Sequence, residues 1–254
     1  MDILETQAYW RRKGRRTLAE LVASLLPFVV SSSAYFYLWL PESSPSPFSA
    51  AVKSAPVLSL AGLVWCHKGG RSLCSSIGAV QVGLLLSAAG DVCLIWKETF
   101  LHGMLFFAVA HICYSLSFSS RPPFPRSRLS PPLLLLLSLS LWVLAGLSLL
   151  YLLPHLSARP DSSLLTPAVG LYSFLITTMV NLALLTPRPL TLAGALLFTA
   201  SDLTLARHTF VAPLPWGRAV VMGTYYLAQV LIAVGGVREG SGVVADGLWN
   251  RKRK

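Results

Sequence analysis

Two aspartates stand inside long apolar runs of this chain: Asp91 in GLLLSAAGDVCL at 83–94, and Asp202 in GALLFTASDLTL at 194–205. They are the only two of the ten acidic residues that fall well within such runs. An ionised Asp at the centre of a membrane helix costs on the order of 2.5–3.5 kcal/mol, so it persists where it is paired, hydrated or functional. Two carboxyl groups in one low-dielectric pocket can act as a proton donor and an ionised partner, which is general acid–base chemistry.

Six further polar side chains fall in apolar runs at depths that overlap those of the aspartates. As candidates for binding a substrate or tuning the acidity of the carboxyl groups, the sequence offers Lys53, His111, Tyr114, Tyr172, Tyr225 and Gln229. Structural explanations stand beside this one. The aspartates could tie helices together, Lys53 could extend to the nearby interface, and the histidine and tyrosines could be hydrogen-bonded packing residues.

Motifs for other chemistries are missing from the sequence. No phosphate-binding loop, zinc-protease motif or nucleophile elbow occurs in a supporting context. His111 has no metal-ligating residue at i+3 or i+4, and the four cysteines form no CxxC pair, so no zinc site or disulfide framework is indicated. We predict no metal and no cofactor, and the chemistry rests mainly on the two carboxylates.

The composition indicates what positions these residues. Hydrophobic residues make up 54% of the chain and charged residues only 12%, about half of the roughly 25% charge typical of soluble domains. A membrane helix needs roughly 20 mostly apolar residues. The sequence therefore predicts an all-α polytopic membrane protein with eight transmembrane helices, the second interrupted by Lys53 and Pro56 and the seventh short. They lie at about 18–40, 48–66, 76–96, 99–119, 131–153, 164–185, 190–207 and 216–236.

The net charge of +11 is concentrated in basic clusters near the two termini. Charge at the ends of an apolar chain is typical of topology signals and anionic-lipid contact, and it argues against nucleic-acid binding. With both termini cytoplasmic, most Lys and Arg residues lie on the cytoplasmic side, as the positive-inside rule requires. This predicts a basic cytoplasmic segment at 1–17, a transmembrane catalytic domain at 18–236 and a basic cytoplasmic tail at 237–254.

The two aspartate segments are related by a constant offset of 111 residues. Asp91 matches Asp202 and Gly83 matches Gly194, and the same offset carries Tyr114 onto Tyr225. An offset of four spans preserves direction, so the pattern predicts a parallel four-plus-four duplication, with chance similarity between two hydrophobic helices as the alternative. Either way, both carboxyl groups fall in the non-cytoplasmic half of the membrane. We expect one polar pocket that opens to that side.

Several strings along the chain resemble the YhhN family of membrane proteins, which includes the animal lysoplasmalogenases. They are KSAP at 53–56, GDVCLIW at 90–96, FLHGMLFFAVAHICY at 100–114, GALLFTASD at 194–202 and TYYLAQVLI at 224–232. The resemblance covers about 50–235 and implies an eight-span enzyme of the endoplasmic reticulum whose paired aspartates correspond to Asp91 and Asp202. Its substrate would be a lysophospholipid, lysoplasmenylcholine or lysoplasmenylethanolamine. Hydrolysis of the vinyl ether bond would yield a fatty aldehyde and glycerophosphocholine or glycerophosphoethanolamine.

Other classes of protein also use intramembrane acids. A proton-coupled transporter combines them with internal repeats, and a metal-dependent intramembrane lipid hydrolase could use His111 with the aspartates. A non-enzymatic scaffold leaves the paired acids unexplained. The sequence leaves open which Asp is the general acid, the head-group preference and the oligomeric state.

Overall fold

The computed structural model of the chain describes residues 19–41, 44–68, 72–73, 75–119 and 129–251, with side chains up to residue 238. The predicted basic segment at 1–17 lies outside the described residues. So does most of the Pro- and Ser-rich link after the fourth predicted span.

Eight helices in the described part of the chain are long and apolar enough to cross a membrane, as the hydropathy pattern predicts. Their bounds are α1 Ala19–Leu38, α2 Pro47–Lys68, α3 Ser76–Cys93, α4 Phe100–Ser119, α5 Pro131–Ser157, α6 Ser162–Leu184, α7 Pro189–Phe210 and α8 Gly217–Arg251. A 3₁₀ turn at Lys97–Thr99 leads into α4. The membrane-length part of α8 is Gly217–Arg238, and the helix continues into the predicted C-terminal tail. The all-α fold class is confirmed, and the chain is a multi-pass membrane protein.

The two spans with irregular sequence patterns are both continuous helices. Helix α2 runs through Pro56, which is buried against the rest of the bundle. A proline inside a membrane helix is tolerated because neighbouring groups satisfy the backbone atoms it frees. Helix α7 has 22 residues, so the expectation of a short seventh span was wrong. It begins at Pro189, and proline at the first helical position sacrifices no hydrogen bond because the N–H there is unpaired in any case.

Helices α3 and α8 form the centre of the bundle, and α5 lies at its edge. More than half of the span residues are buried in α3 and α8, 56% and 61%, whereas none is buried in the span window of α5. Helix α5 packs mainly on α6 and only loosely on α7. One side of α5 therefore faces the space where lipid would lie.

The packing pattern is similar in the two halves of the chain. Helix α3 packs extensively on α4, and α7 packs equally extensively on α8. Helix α2 also contacts α8, and α6 contacts α4. These pairs exchange under an offset of four helices, but within the described residues α3 also packs on α8 while α4 and α7 make no comparable contact. The parallel duplication stays a prediction.

Close approach of α7 to α8 requires the glycine at position 194. A Cβ atom there would lie 2.8 Å from Ile232 Cγ1 and 3.0 Å from the Ala228 carbonyl oxygen, and the backbone oxygen has no rotamer through which to move away. We expect Gly194→Leu to lower the free energy of unfolding by about 1–3 kcal/mol, the usual effect of overpacking. The shift is measured as the thermal unfolding midpoint in detergent.

The matched control for this substitution is Gly223→Leu, because nothing lies within 4 Å of the Cβ position at Gly223. We expect it to unfold at the wild-type temperature. Equal midpoints for the two variants would show that α7 and α8 can separate without loss of stability.

Both aspartates lie toward the same end of the bundle. We call this the mouth end: it contains the ends of α1, α3, α5 and α7 and the starts of α2, α4, α6 and α8. Trp39 and Trp216 are exposed there, by 41% and 82%, as in the aromatic belts of membrane–water interfaces. The aspartates therefore lie a short distance inside the bundle from an interface.

Candidate active site

A cavity with a volume of about 390 Å³ enters the bundle from the mouth end. All eight helices contribute to its wall. Five of the residues singled out from the sequence line it together: Lys53, Asp91, Tyr172, Asp202 and Tyr225. The two carboxyl groups thus share one secluded space, although 111 positions separate them in the chain.

Asp91 is the more deeply buried of the two carboxyl groups, with only 1% of the residue exposed. It lies in the last turn of α3 and accepts a 2.7 Å hydrogen bond at Oδ2 from the hydroxyl of Tyr225 on α8. Lys53 and Asp202 line the same cavity. An opposite charge and a hydroxyl donor are the partners that a buried carboxylate needs.

Asp202 lies on α7 with 18% of its side chain exposed, and it has two partners from other helices. The hydroxyl of Tyr172 on α6 donates a 2.5 Å hydrogen bond to Oδ2. Nε2 of His111 on α4 lies 3.5 Å from the same oxygen and 2.9 Å from the Tyr172 hydroxyl oxygen. Because the tyrosine proton points to the carboxylate, the His111 Nε2–H donates to the tyrosine oxygen. His111, Tyr172 and Asp202 thus form a connected chain of hydrogen bonds.

An aromatic wall joins the two aspartate groups. The ring of Phe198 lies edge-on to His111, with centroids 4.8 Å apart, and to Tyr225, with centroids 5.5 Å apart. Phe107 packs against both Phe198 and Tyr225. Edge-to-face contacts of this kind fix the ring orientations. The hydroxyls of the tyrosines and the imidazole are therefore held in place by packing as well as by hydrogen bonds.

Tyr114 and Gln229 are close to this site but do not line the cavity. The Tyr114 hydroxyl donates a 2.8 Å hydrogen bond to the Gln229 Oε1 atom and lies 3.3 Å from the Ser87 hydroxyl. Both residues are fully buried. The sequence offset pairs Tyr114 with Tyr225, yet only Tyr225 contacts an aspartate.

Two cationic residues at the cavity mouth were not among the candidates from the sequence. Arg218 donates from Nε to the Tyr35 hydroxyl at 3.1 Å and from Nη1 to the Leu40 carbonyl oxygen at 2.6 Å, and its guanidinium lies 4.4 Å from the centroid of the Trp39 ring. Lys97 lines the same mouth. Each lies at the start of a helix, on the side of the membrane that holds few basic residues in the predicted topology. This placement is the sequence signal that could have identified them as site residues. Together they place positive charge at the mouth.

The described residues contain no group of three or more His, Cys, Asp or Glu side chains that could hold a metal ion.

The fold and the site together define a class: multi-pass α-helical membrane proteins with a pair of acids in an intramembrane cavity. The YhhN family matches residues 48–236, and the chain belongs to this family.

Several relatives are similar over most of their length. The chain is 42% identical to "Lysoplasmalogenase TMEM86B" of Sus scrofa over 83% of this chain and 84% of the relative. It is 40% identical to "Lysoplasmalogenase TMEM86A" of Bos taurus over 84% and 88% of the two chains. The human protein named "Lysoplasmalogenase TMEM86B" is 41% identical over 84% and 86%. No solved structure matches the chain.

Proposed function

We propose that the protein is a lysoplasmalogenase. It hydrolyses the vinyl ether bond of lysoplasmenylcholine or lysoplasmenylethanolamine and releases a fatty aldehyde with glycerophosphocholine or glycerophosphoethanolamine. The observation that carries the mechanism is the pair Asp91 and Asp202, which line one cavity and each accept a tyrosine hydroxyl hydrogen bond. The substrate class is supported by the names of relatives that match more than four-fifths of the chain.

Hydrolysis of a vinyl ether begins with transfer of a proton to the alkene carbon distant from oxygen. The product is an oxocarbenium ion, so the reaction needs a proton donor and a negative charge beside the developing cation. A neutral carboxyl group supplies the first and an ionised carboxylate supplies the second, as in the acid pairs of glycosidases. Water then adds to the cationic carbon and gives up a proton to a carboxylate. The resulting hemiacetal collapses to the aldehyde and the free glycerol hydroxyl.

The residues around the aspartates hold them for these two roles. Lys53 offsets negative charge at Asp91, and His111 supports Asp202 through the Tyr172 hydroxyl. Tyr172 and Tyr225 keep each carboxyl group in one orientation toward the cavity. Positioned groups of this kind lower the barrier because little reorganisation remains at the moment of proton transfer.

The mouth of the cavity also fits the charged end of the substrate. The phosphate and its base lie at the mouth, where Lys97 and Arg218 provide positive charge. In the proposed topology both termini are cytoplasmic and the membrane is that of the endoplasmic reticulum. The head group then leaves toward the lumen.

The test is aldehyde release by the purified protein in detergent, with a lysoplasmalogen and its saturated alkyl ether analogue as paired substrates. We expect turnover of the vinyl ether and none of the saturated ether, because the saturated compound has no alkene carbon to protonate. Activity in detergent excludes a carrier that needs a gradient across a sealed membrane. Equal cleavage of both compounds rejects alkene protonation, and loss of activity with a chelator indicates a metal-dependent hydrolase.

A further inference from the structure

Beyond the aspartates the cavity continues as an apolar groove between α5, α6 and α7. Its α5 wall is a single helix face with residues three or four positions apart, which includes Leu144, Ala145 and Ser148. The facing walls include Ile176 and Val180 of α6 and Leu203 of α7. We call the space bounded by these six residues the chain groove. Its polar end is the site of Tyr172 and Asp202, so the groove and the acid pair form one continuous space.

The groove runs through most of the depth of one leaflet of a bilayer. Beyond Tyr172 the cavity follows α6 as far as Val180, and eight residues of α-helix advance about 12 Å at 1.5 Å per residue. The hydrocarbon core of a bilayer is about 30 Å thick, so one leaflet is about 15 Å deep. A single lipid chain, lying parallel to the helices, therefore fits the groove over most of this depth.

Two apolar residues of the groove wall are also substantially exposed. Leu144 and Leu203 line the cavity while 52% and 38% of their surfaces remain exposed. They lie on α5 and α7, the two helices that make only loose contact with each other. A lipid chain that passes between these two helices reaches the acid pair without crossing the polar mouth.

We propose that the hydrocarbon chain of a single-chain lipid enters laterally between α5 and α7 and occupies the chain groove, where Ala145 and Ser148 set the accepted chain length. The identity of the cleaved bond rests on the proposed function, but binding of the chain does not. The occupant follows from continuity with the acid pair, the length of the groove, and the exposed apolar residues on two loosely packed helices. Small side chains at 145 and 148 keep the α5 wall open, so bulk at either position shortens the groove.

The experiment measures binding of saturated alkyl-lysophosphocholines with short and long chains to the purified protein. In Ala145→Trp, we expect the ratio of long-chain to short-chain affinity to fall about tenfold or more, the usual effect of steric mismatch in an apolar pocket. Gly146→Trp is the matched control, because nothing lies within 4 Å of the Cβ position at Gly146. It retains the wild-type ratio. Ser148→Leu is a milder second variant, in case the Trp variant does not fold.

The outcomes separate this inference from the proposed function. If the wild-type protein binds the analogues with the expected dependence on chain length but releases no aldehyde from lysoplasmalogens, the groove proposal stands and the proposed hydrolase activity is rejected. If the wild-type protein cleaves lysoplasmalogens but the variants at Ala145 and Ser148 bind short and long chains in the wild-type ratio, the groove proposal is rejected. A change in oligomeric state in Ala145→Trp, with unchanged lipid binding, also overturns it and makes this face an interface between copies.

Discussion

Aldehyde release is expected to fall by about 10²–10⁴-fold in Asp91→Asn and in Asp202→Asn, the range that a positioned acid or base contributes. An amide occupies nearly the same volume as a carboxyl group, but it cannot donate the carboxyl proton or carry negative charge beside the oxocarbenium ion. Neither substitution adds a charge to the membrane, so both variants insert normally. The measurement is the initial rate of aldehyde release per folded protein, with size-exclusion profiles as the check on folding.

Asp161→Asn provides the same chemical change away from the cavity. Asp161 lies in the connection between α5 and α6, where its side chain is 52% exposed and 3.6 Å from Arg159. Surface ion pairs of this kind contribute little, so wild-type turnover is expected. Near wild-type turnover in both cavity variants would reject the acid pair. A loss confined to one variant would assign the chemistry to a single carboxyl group.

Removal of the hydroxyl groups that orient the aspartates is expected to reduce kcat by roughly 10- to 100-fold in Tyr172→Phe and in Tyr225→Phe. A hydrogen bond to a charged group contributes about 1.5–3 kcal/mol, and tenfold in rate corresponds to about 1.4 kcal/mol. The ring remains and continues to pack against its aromatic neighbours, so the cavity keeps its shape. The effect should fall mainly on kcat, because the hydroxyls hold the acids and not the head group. Steady-state kinetics on both variants separate kcat from KM.

Tyr114→Phe is the matched control for these two substitutions. Tyr114 is fully buried and Tyr225 nearly so, whereas Tyr172 is partly buried, but the Tyr114 hydroxyl bonds to Gln229 and Ser87 and not to an aspartate. We expect a lower thermal midpoint, because Gln229 Oε1 loses its donor, and turnover close to wild type. A similar loss of kcat in all three variants would show that general packing around the cavity, and not the orientation of the carboxyl groups, is responsible.

The acid pair illustrates how much of the site the sequence specifies. In lipid each buried charge is costly, so an aspartate within an apolar run is conspicuous without any structure. The offset of four spans adds direction: Asp91 and Asp202 belong to helices that cross the membrane the same way, and this puts the two carboxyl groups at similar depth. Similar depth alone does not put Asp91 and Asp202 in one cavity. Their helices, α3 and α7, must also face a common space in the bundle, and the sequence does not specify this.

The partners of the aspartates show where sequence reasoning ends. Tyr114 and Tyr225 are equivalent under the repeat, yet Tyr225 contacts Asp91 and Tyr114 contacts Gln229. Asp202 takes its hydroxyl from Tyr172 on α6, outside the repeated pairs. A small rotation of a helix about its axis moves a side chain from the cavity to the wall behind it, and rotation depends on packing against several neighbours.

The sequence by itself determined the number and approximate positions of the membrane helices and marked the two acids within them, because a bilayer requires each span to satisfy its own backbone and to be apolar over a known length. Only the tertiary structure decided which hydroxyl meets which carboxyl group, that Arg218 is held at the mouth by Tyr35 and Trp39, and that α5 packs only loosely on α7. These features depend on contacts between helices far apart in the chain. Such contacts are selected by shape and close packing, which leave no periodic signal in the sequence.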